Sequence, residues 1–131
     1  ITLYTIGCIK DIPNVRTYVS VDGGMADNPR HIMYDSKYEA VLANSPLSEV
    51  DKTVTIAGKC CESGDILAKN RMLPKIEEGD LICVLDTGAY GWSMCSTYNS
   101  RPRPAEVMIC ADGKVKQIRR KETIEDLMNL F

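Results

Sequence analysis

The side chains able to do chemistry gather in three short stretches. Gly58-Lys59-Cys60-Cys61-Glu62-Ser63-Gly64-Asp65 sets a thiol directly beside a carboxylate. A neutral thiol can give a proton and a carboxylate can hold a cation, so Cys61-Glu62 joins a general acid to a cation acceptor. The only histidine is His31, far from this pair in sequence, and a Cys-His nucleophile has little support. Asp86-Thr87-Gly88-Ala89-Tyr90-Gly91 flanks a phenol with glycines. Small residues let a backbone approach a ligand closely, and Tyr90 supplies a hydrogen bond. The third stretch runs from Gly23-Gly24-Met25-Ala26-Asp27-Asn28-Pro29-Arg30 to Tyr34. Its Arg30 can clamp a carboxylate through two parallel hydrogen bonds. Phosphate loops, dinucleotide glycine motifs and serine-hydrolase elbows are absent from the sequence.

Each stretch follows a segment that reads as a strand, the kind of rigid support on which functional loops are presented. In Arg16–Asp22, Thr17, Val19 and Val21 alternate along a β-branched run that Gly23-Gly24 ends. Val54 and Ile56 alternate with Thr53 and Thr55 before Gly58, and Leu81–Leu85 is a continuous apolar run suited to a buried strand. Val107–Cys110, a turn at Ala111-Asp112-Gly113 and Lys114–Arg119 predict a hairpin. Tyr38–Asn44 fits helix and strand equally. Ser45-Pro46 and Arg101-Pro102-Arg103-Pro104 punctuate loops. Only the tail has a helical signature: Thr123 and Asp126 form a capping box ahead of Ile124, Leu127, Met128 and Phe131. Short strands, Gly/Pro turns and one terminal helix predict an all-β barrel or sandwich. The length of 131 residues suits one domain over 1–131.

Composition narrows the class. The sequence holds 16 basic and 18 acidic residues for a net charge of −2, which argues against nucleic acid as a partner. No apolar run approaches the ~20 residues of a membrane span. Six cysteines raise the question of a disulfide framework. Cys60 and Cys61 are adjacent, which weighs against a disulfide framework; no C-x-x-C pair occurs and His31 is the only histidine, so a zinc site has little support and free thiols in a cytoplasmic setting are expected. Cys83 and Cys110 read as small core residues within apolar runs.

Taken together and in order, five motifs carry a resemblance. They are Tyr18-Val19-Ser20-Val21-Asp22-Gly23-Gly24-Met25, Asp27-Asn28-Pro29-Arg30, Cys61-Glu62-Ser63-Gly64-Asp65, Asp86-Thr87-Gly88-Ala89-Tyr90-Gly91, and Tyr98-Asn99 with Arg101-Pro102-Arg103-Pro104. The chain resembles the C-terminal β-domain of the diaminopimelate decarboxylases, pyridoxal-phosphate enzymes of the alanine racemase/ornithine decarboxylase structural class. The resemblance implies a β-barrel or β-sandwich with a short C-terminal helix, and a separate (β/α)₈ barrel that binds most of the pyridoxal 5'-phosphate and is absent here. A start at Ile1 rather than Met agrees with a C-terminal part of a longer chain. By position, Cys61 falls on the family's proton donor, Arg30, Tyr34 and Glu62 on substrate contacts, and Tyr90 on a contact to substrate and cofactor phosphate. The implied reaction is decarboxylation of meso-diaminopimelate to L-lysine, the last step of lysine biosynthesis, in a homodimer with active sites at its interface. The isolated chain is expected to be inactive.

Two other readings stand beside it: a related ornithine or arginine decarboxylase domain, and a non-catalytic dimerisation module of the same fold. The distal end of meso-diaminopimelate carries a carboxylate and an ammonium, which suit Arg30 and Glu62. Ornithine has no distal carboxylate, and its decarboxylases resemble Cys-Asp at the pair, so Cys61-Glu62 favours diaminopimelate. His31 departs from the proline that often follows the family arginine.

Overall fold

The computed structural model describes residues 1–129 and 131. They form two compact units, Ile1–Cys95 and Ser96–Phe131.

The first unit is a six-stranded sheet built from β1 (Thr2–Ile12), β2 (Arg16–Val21), β3 (Ala40–Leu42), β4 (Lys52–Ala57), β5 (Ile66–Leu73) and β6 (Leu81–Val84), in the order β3-β6-β1-β2-β4-β5. The outermost strands β3 and β5 also touch, so the sheet curls into a nearly closed barrel rather than a sandwich. Tyr4, Ile6, Val19, Val21, Val54, Ile56, Leu67, Ile82 and Val84 fill it. The alternation in β2 arises from this core, since Thr17, Val19 and Val21 are buried and the residues between them less so. The ambiguous Tyr38–Asn44 segment resolves as β3, because Ala40 and Leu42 pair with Val84 and Ile82 of β6.

Strand direction decides where the loops go. β1 pairs antiparallel with both β2 and β6, and β2 pairs parallel with β4. Strands β2, β4 and β6 therefore run the same way, and the chain leaves all three at one end of the sheet. Those exits are the three chemistry-bearing stretches. Two of them continue into short helices, α1 (Arg30–Tyr34) and α2 (Gly91–Met94).

The second unit holds the antiparallel hairpin of β7 (Glu106–Ile109) and β8 (Val115–Arg119), followed by α3 (Ile124–Met128). The capping box is present: Asp126 N–H donates to Thr123 Oγ1 at 3.2 Å, and Thr123 N–H donates to Asp126 Oδ2 at 2.8 Å. Arg103 and Glu122 brace the stretch before α3, with Arg103 N–H on Glu122 Oε2 at 2.9 Å and Arg103 Nε on Oε1 at 2.8 Å. Cys83 is buried as expected, but Cys110 is only half-buried, because the hairpin around it is exposed on both faces. None of the six cysteines forms a disulfide. No helix among the described residues is long and apolar enough to cross a membrane.

Candidate active site

Arg30 is the centre of the cluster. The buried Asn28 and the half-buried Pro29 lead into α1, and Asn28 Oδ1 accepts from Arg30 N–H at 3.3 Å. Asp35, in the left-handed conformation, ends the helix and directs its N–H to the His31 carbonyl at 2.9 Å. His31 is buried, and its Nδ1 lies 3.1 Å from the Ser36 carbonyl oxygen. A carbonyl only accepts, so this bond places the ring proton on Nδ1. The histidine thus ties the helix to the chain that follows it.

The Arg30 side chain projects between two aromatic rings. Its Cζ is 5.3 Å from the Tyr34 ring centroid and 5.0 Å from that of Tyr90. Tyr34 is 59% exposed and Tyr90 58%, so the rings flank the cation while leaving its surroundings open to solvent. Exposed cation–π contacts contribute about 0.5–1 kcal/mol each. Nη1 also reaches Met94 Sδ at 3.6 Å. Tyr90 and Met94 bracket α2, and Thr2 Oγ1 bonds Thr87 Oγ1 at 2.8 Å to fix the loop before it. The result is a guanidinium held in one direction, suited to an incoming carboxylate.

Cys61 and Glu62 lie exposed at the tip of the loop between β4 and β5. The loop is tightly turned: Glu62 N–H donates to the Cys60 carbonyl at 2.8 Å, and Asp65 N–H to the Glu62 carbonyl at 3.0 Å. Gly64 rests against α1, where a Cβ would come 2.1 Å from Ile32 Cδ1. The Cys61-Glu62 loop and the Arg30 helix are therefore neighbours.

The structure thus brings Arg30, Tyr34 and Tyr90 into direct contact and puts Cys61 and Glu62 on an adjoining exposed loop. Sequence reasoning passed over Met94. Its signal was a spacing of four from Tyr90, one helical turn, but a four-residue helix is too short to show a period. Ile32, the residue that seats Gly64, was likewise hidden in a helix of five residues.

Residues 1–88 match the family model described as the pyridoxal-dependent decarboxylase C-terminal sheet domain, and the chain belongs to that family. Among its relatives, diaminopimelate decarboxylase from Bacillus methanolicus is 56% identical over 120 residues, covering 92% of this chain and 28% of that protein. The diaminopimelate decarboxylase of Bacillus subtilis (strain 168) is 53% identical over 129 residues, covering 98% of this chain and 29% of that protein. Among solved structures, a diaminopimelate decarboxylase from M. jannaschii in complex with L-lysine superposes with a TM-score of 0.87 at 38% identity. That superposition covers 96% of this chain and 28% of the other. The chain spans less than a third of the length of the relatives it matches.

Proposed function

We propose that this chain is the C-terminal part of a cytoplasmic diaminopimelate decarboxylase, acting on meso-diaminopimelate to release L-lysine and carbon dioxide. One observation carries the reading: Arg30 is fixed between Tyr34 and Tyr90 beside an exposed Cys-Glu loop. A substrate whose far end is itself an amino acid offers a carboxylate to Arg30 and an ammonium to Glu62. Tyr34 and Tyr90 hold the guanidinium plane and line the approach.

Pyridoxal phosphate, when bound, supplies the electron sink that lets carbon dioxide leave. The residues present fit the rim of such a group. Tyr90 offers an exposed phenol next to a cation, which suits one phosphate contact, while the barrel implied by the resemblance would hold most of the cofactor. After carboxylate loss the substrate carbon needs one proton from a defined direction, and Cys61 Sγ–H delivers it. Exposure of Cys61 suits a thiol that works against groups outside this chain, including those of a second subunit in a homodimer.

The test is substrate choice by the full-length holoenzyme carrying this chain. Turnover of meso-diaminopimelate is expected, with ornithine and arginine at least about 100-fold poorer in kcat/KM, because each leaves Arg30 without its carboxylate. Comparable turnover of ornithine overturns the substrate assignment. The isolated 131-residue chain mixed with pyridoxal phosphate and substrate should release no carbon dioxide.

A further inference from the structure

Asp65 is the acidic residue at the end of the Cys61-Glu62 loop, and it is 2% exposed. Its two carboxylate oxygens serve two different segments. Oδ1 accepts from Met25 N–H at 2.6 Å, in the stretch that leads to α1 and Arg30. Oδ2 accepts from Cys60 N–H at 2.6 Å, one residue before Cys61. Its main chain closes the same loop: the Asp65 carbonyl accepts from Gly58 N–H at 2.8 Å, and the Asp65 N–H donates to the Glu62 carbonyl at 3.0 Å. The fit around the carboxylate is close. A Cβ on Gly24 would come 2.4 Å from Oδ1, and one on Gly58 would come 2.2 Å from both oxygens.

We propose that Asp65 is a positioning residue that sets Cys61 against the Arg30 helix by joining the Cys60 and Met25 backbones through one carboxylate. This rests on the reading of Cys61 as proton donor. A buried carboxylate is retained where its oxygens are satisfied by hydrogen bonds, and here both are spent on the loops that carry the site. Charge-assisted bonds from backbone N–H groups are short and strong, so they hold both backbones in register. Asparagine cannot do this. It has one acceptor oxygen, and its NH₂ would face an N–H donor, leaving one segment unbonded. The cost of losing the register falls on the proton transfer, since general acids act only at hydrogen-bond reach of the receiving atom.

A double-mutant cycle on the full-length holoenzyme carrying this chain separates positioning from mere support. Asp65→Asn is made alone and together with Cys61→Ser, and kcat is measured for meso-diaminopimelate. Asp65→Asn is expected to lower kcat about tenfold when Cys61 is present and less than twofold when it is already serine. Equal losses in both backgrounds, or no loss in either, overturn the proposal. If Cys61→Ser itself leaves kcat unchanged, the proton-donor reading falls and the positioning role falls with it. If Asp65→Asn yields no folded enzyme, Gly58→Ala takes its place in the same cycle, because its Cβ displaces the same carboxylate. It is judged by the same non-additivity.

Discussion

Ile56 of β4 and Ile118 of β8 are both strand isoleucines, yet the first is 0% exposed and the second 56%. The contrast extends to the units that hold them. Ile1–Cys95 has a filled core, while every described residue of Ser96–Phe131 is exposed or only half-buried. The hairpin displays Val107 and Ile109 beside Val115, with Met108 and Ile118 on its other face. In place of a core, the second unit carries its hairpin ladder and ion pairs: Arg103 with Glu122, Arg119 with Glu106 and Arg120 with Asp126. A packed barrel can hold loop residues still enough for chemistry, and all five candidate site residues stand in the first unit. Surface ion pairs give definition to a small unit but little free energy.

The largest expected effect tests whether chemistry follows the packed unit. In the full-length holoenzyme, Cys61→Ala should lower kcat by about 10²–10⁴-fold, the usual contribution of a positioned general acid. Lys116→Ala on the hairpin should leave kcat within twofold. Steady-state decarboxylation assays decide it, and a comparable loss from the hairpin variant would break the division of labour.

The same contrast explains what could be read in advance. β2 and β6 were legible because the core enforces a simple pattern on them: alternation in one, continuous burial in the other. β1 was not recognised. Its register shifts between Ile6 and Cys8, so its buried residues do not keep a period of two along its 11 residues. β5 was missed for a related reason, since Asn70 takes φ of 53° and the pairing with β4 shifts around Ile56. In β4, Thr55 is as buried as its apolar neighbours, which alternation alone does not foretell. The tail helix was legible because a capping box is a local hydrogen-bond pattern that needs no tertiary partner. For the site, residue chemistry nominated the three stretches, and resemblance assigned the roles. Their convergence required strand direction, which depends on the parallel pairing of β2 with β4 and is not written in any one segment.

Stability should divide in the same way and by a smaller factor. Ile56→Ala removes a fully buried side chain from a closed core and is expected to cost about 2–5 kcal/mol. Ile118→Ala removes an exposed one and should cost no more than about 0.5 kcal/mol. Urea unfolding of both variants checks this. A large loss from Ile118→Ala would mean that the hairpin's apolar face is covered in solution.

The smallest effect is in pH, where the two units should fail at opposite ends. In the first unit, burial, with Asp27 adding to it, pushes the Tyr4 phenol up from 10.0, and burial raises the Cys83 thiol from 9.0. Above those ordinary values the unfolded chain releases protons that the folded one keeps, so the barrel loses stability as pH rises. The exposed Asp11, lowered by its bond to Lys52, gives this unit only a solvent-screened acid response. In the second unit, the bond from Arg103 holds Glu122 below 4.5, and that from Arg120 holds Asp126 below 3.8. A lowered carboxyl contributes stability that is complete above its ordinary value and is lost as pH falls through the folded one. Amide hydrogen exchange, corrected for its intrinsic pH dependence, should therefore show protection around α3 fading first below about pH 4.5, with β2 and β4 still protected. At pH above about 10 the order should reverse, with Tyr4→Phe delaying the loss in the barrel. Simultaneous loss in both units at either extreme would show that the ion pairs and the core belong to one cooperative structure.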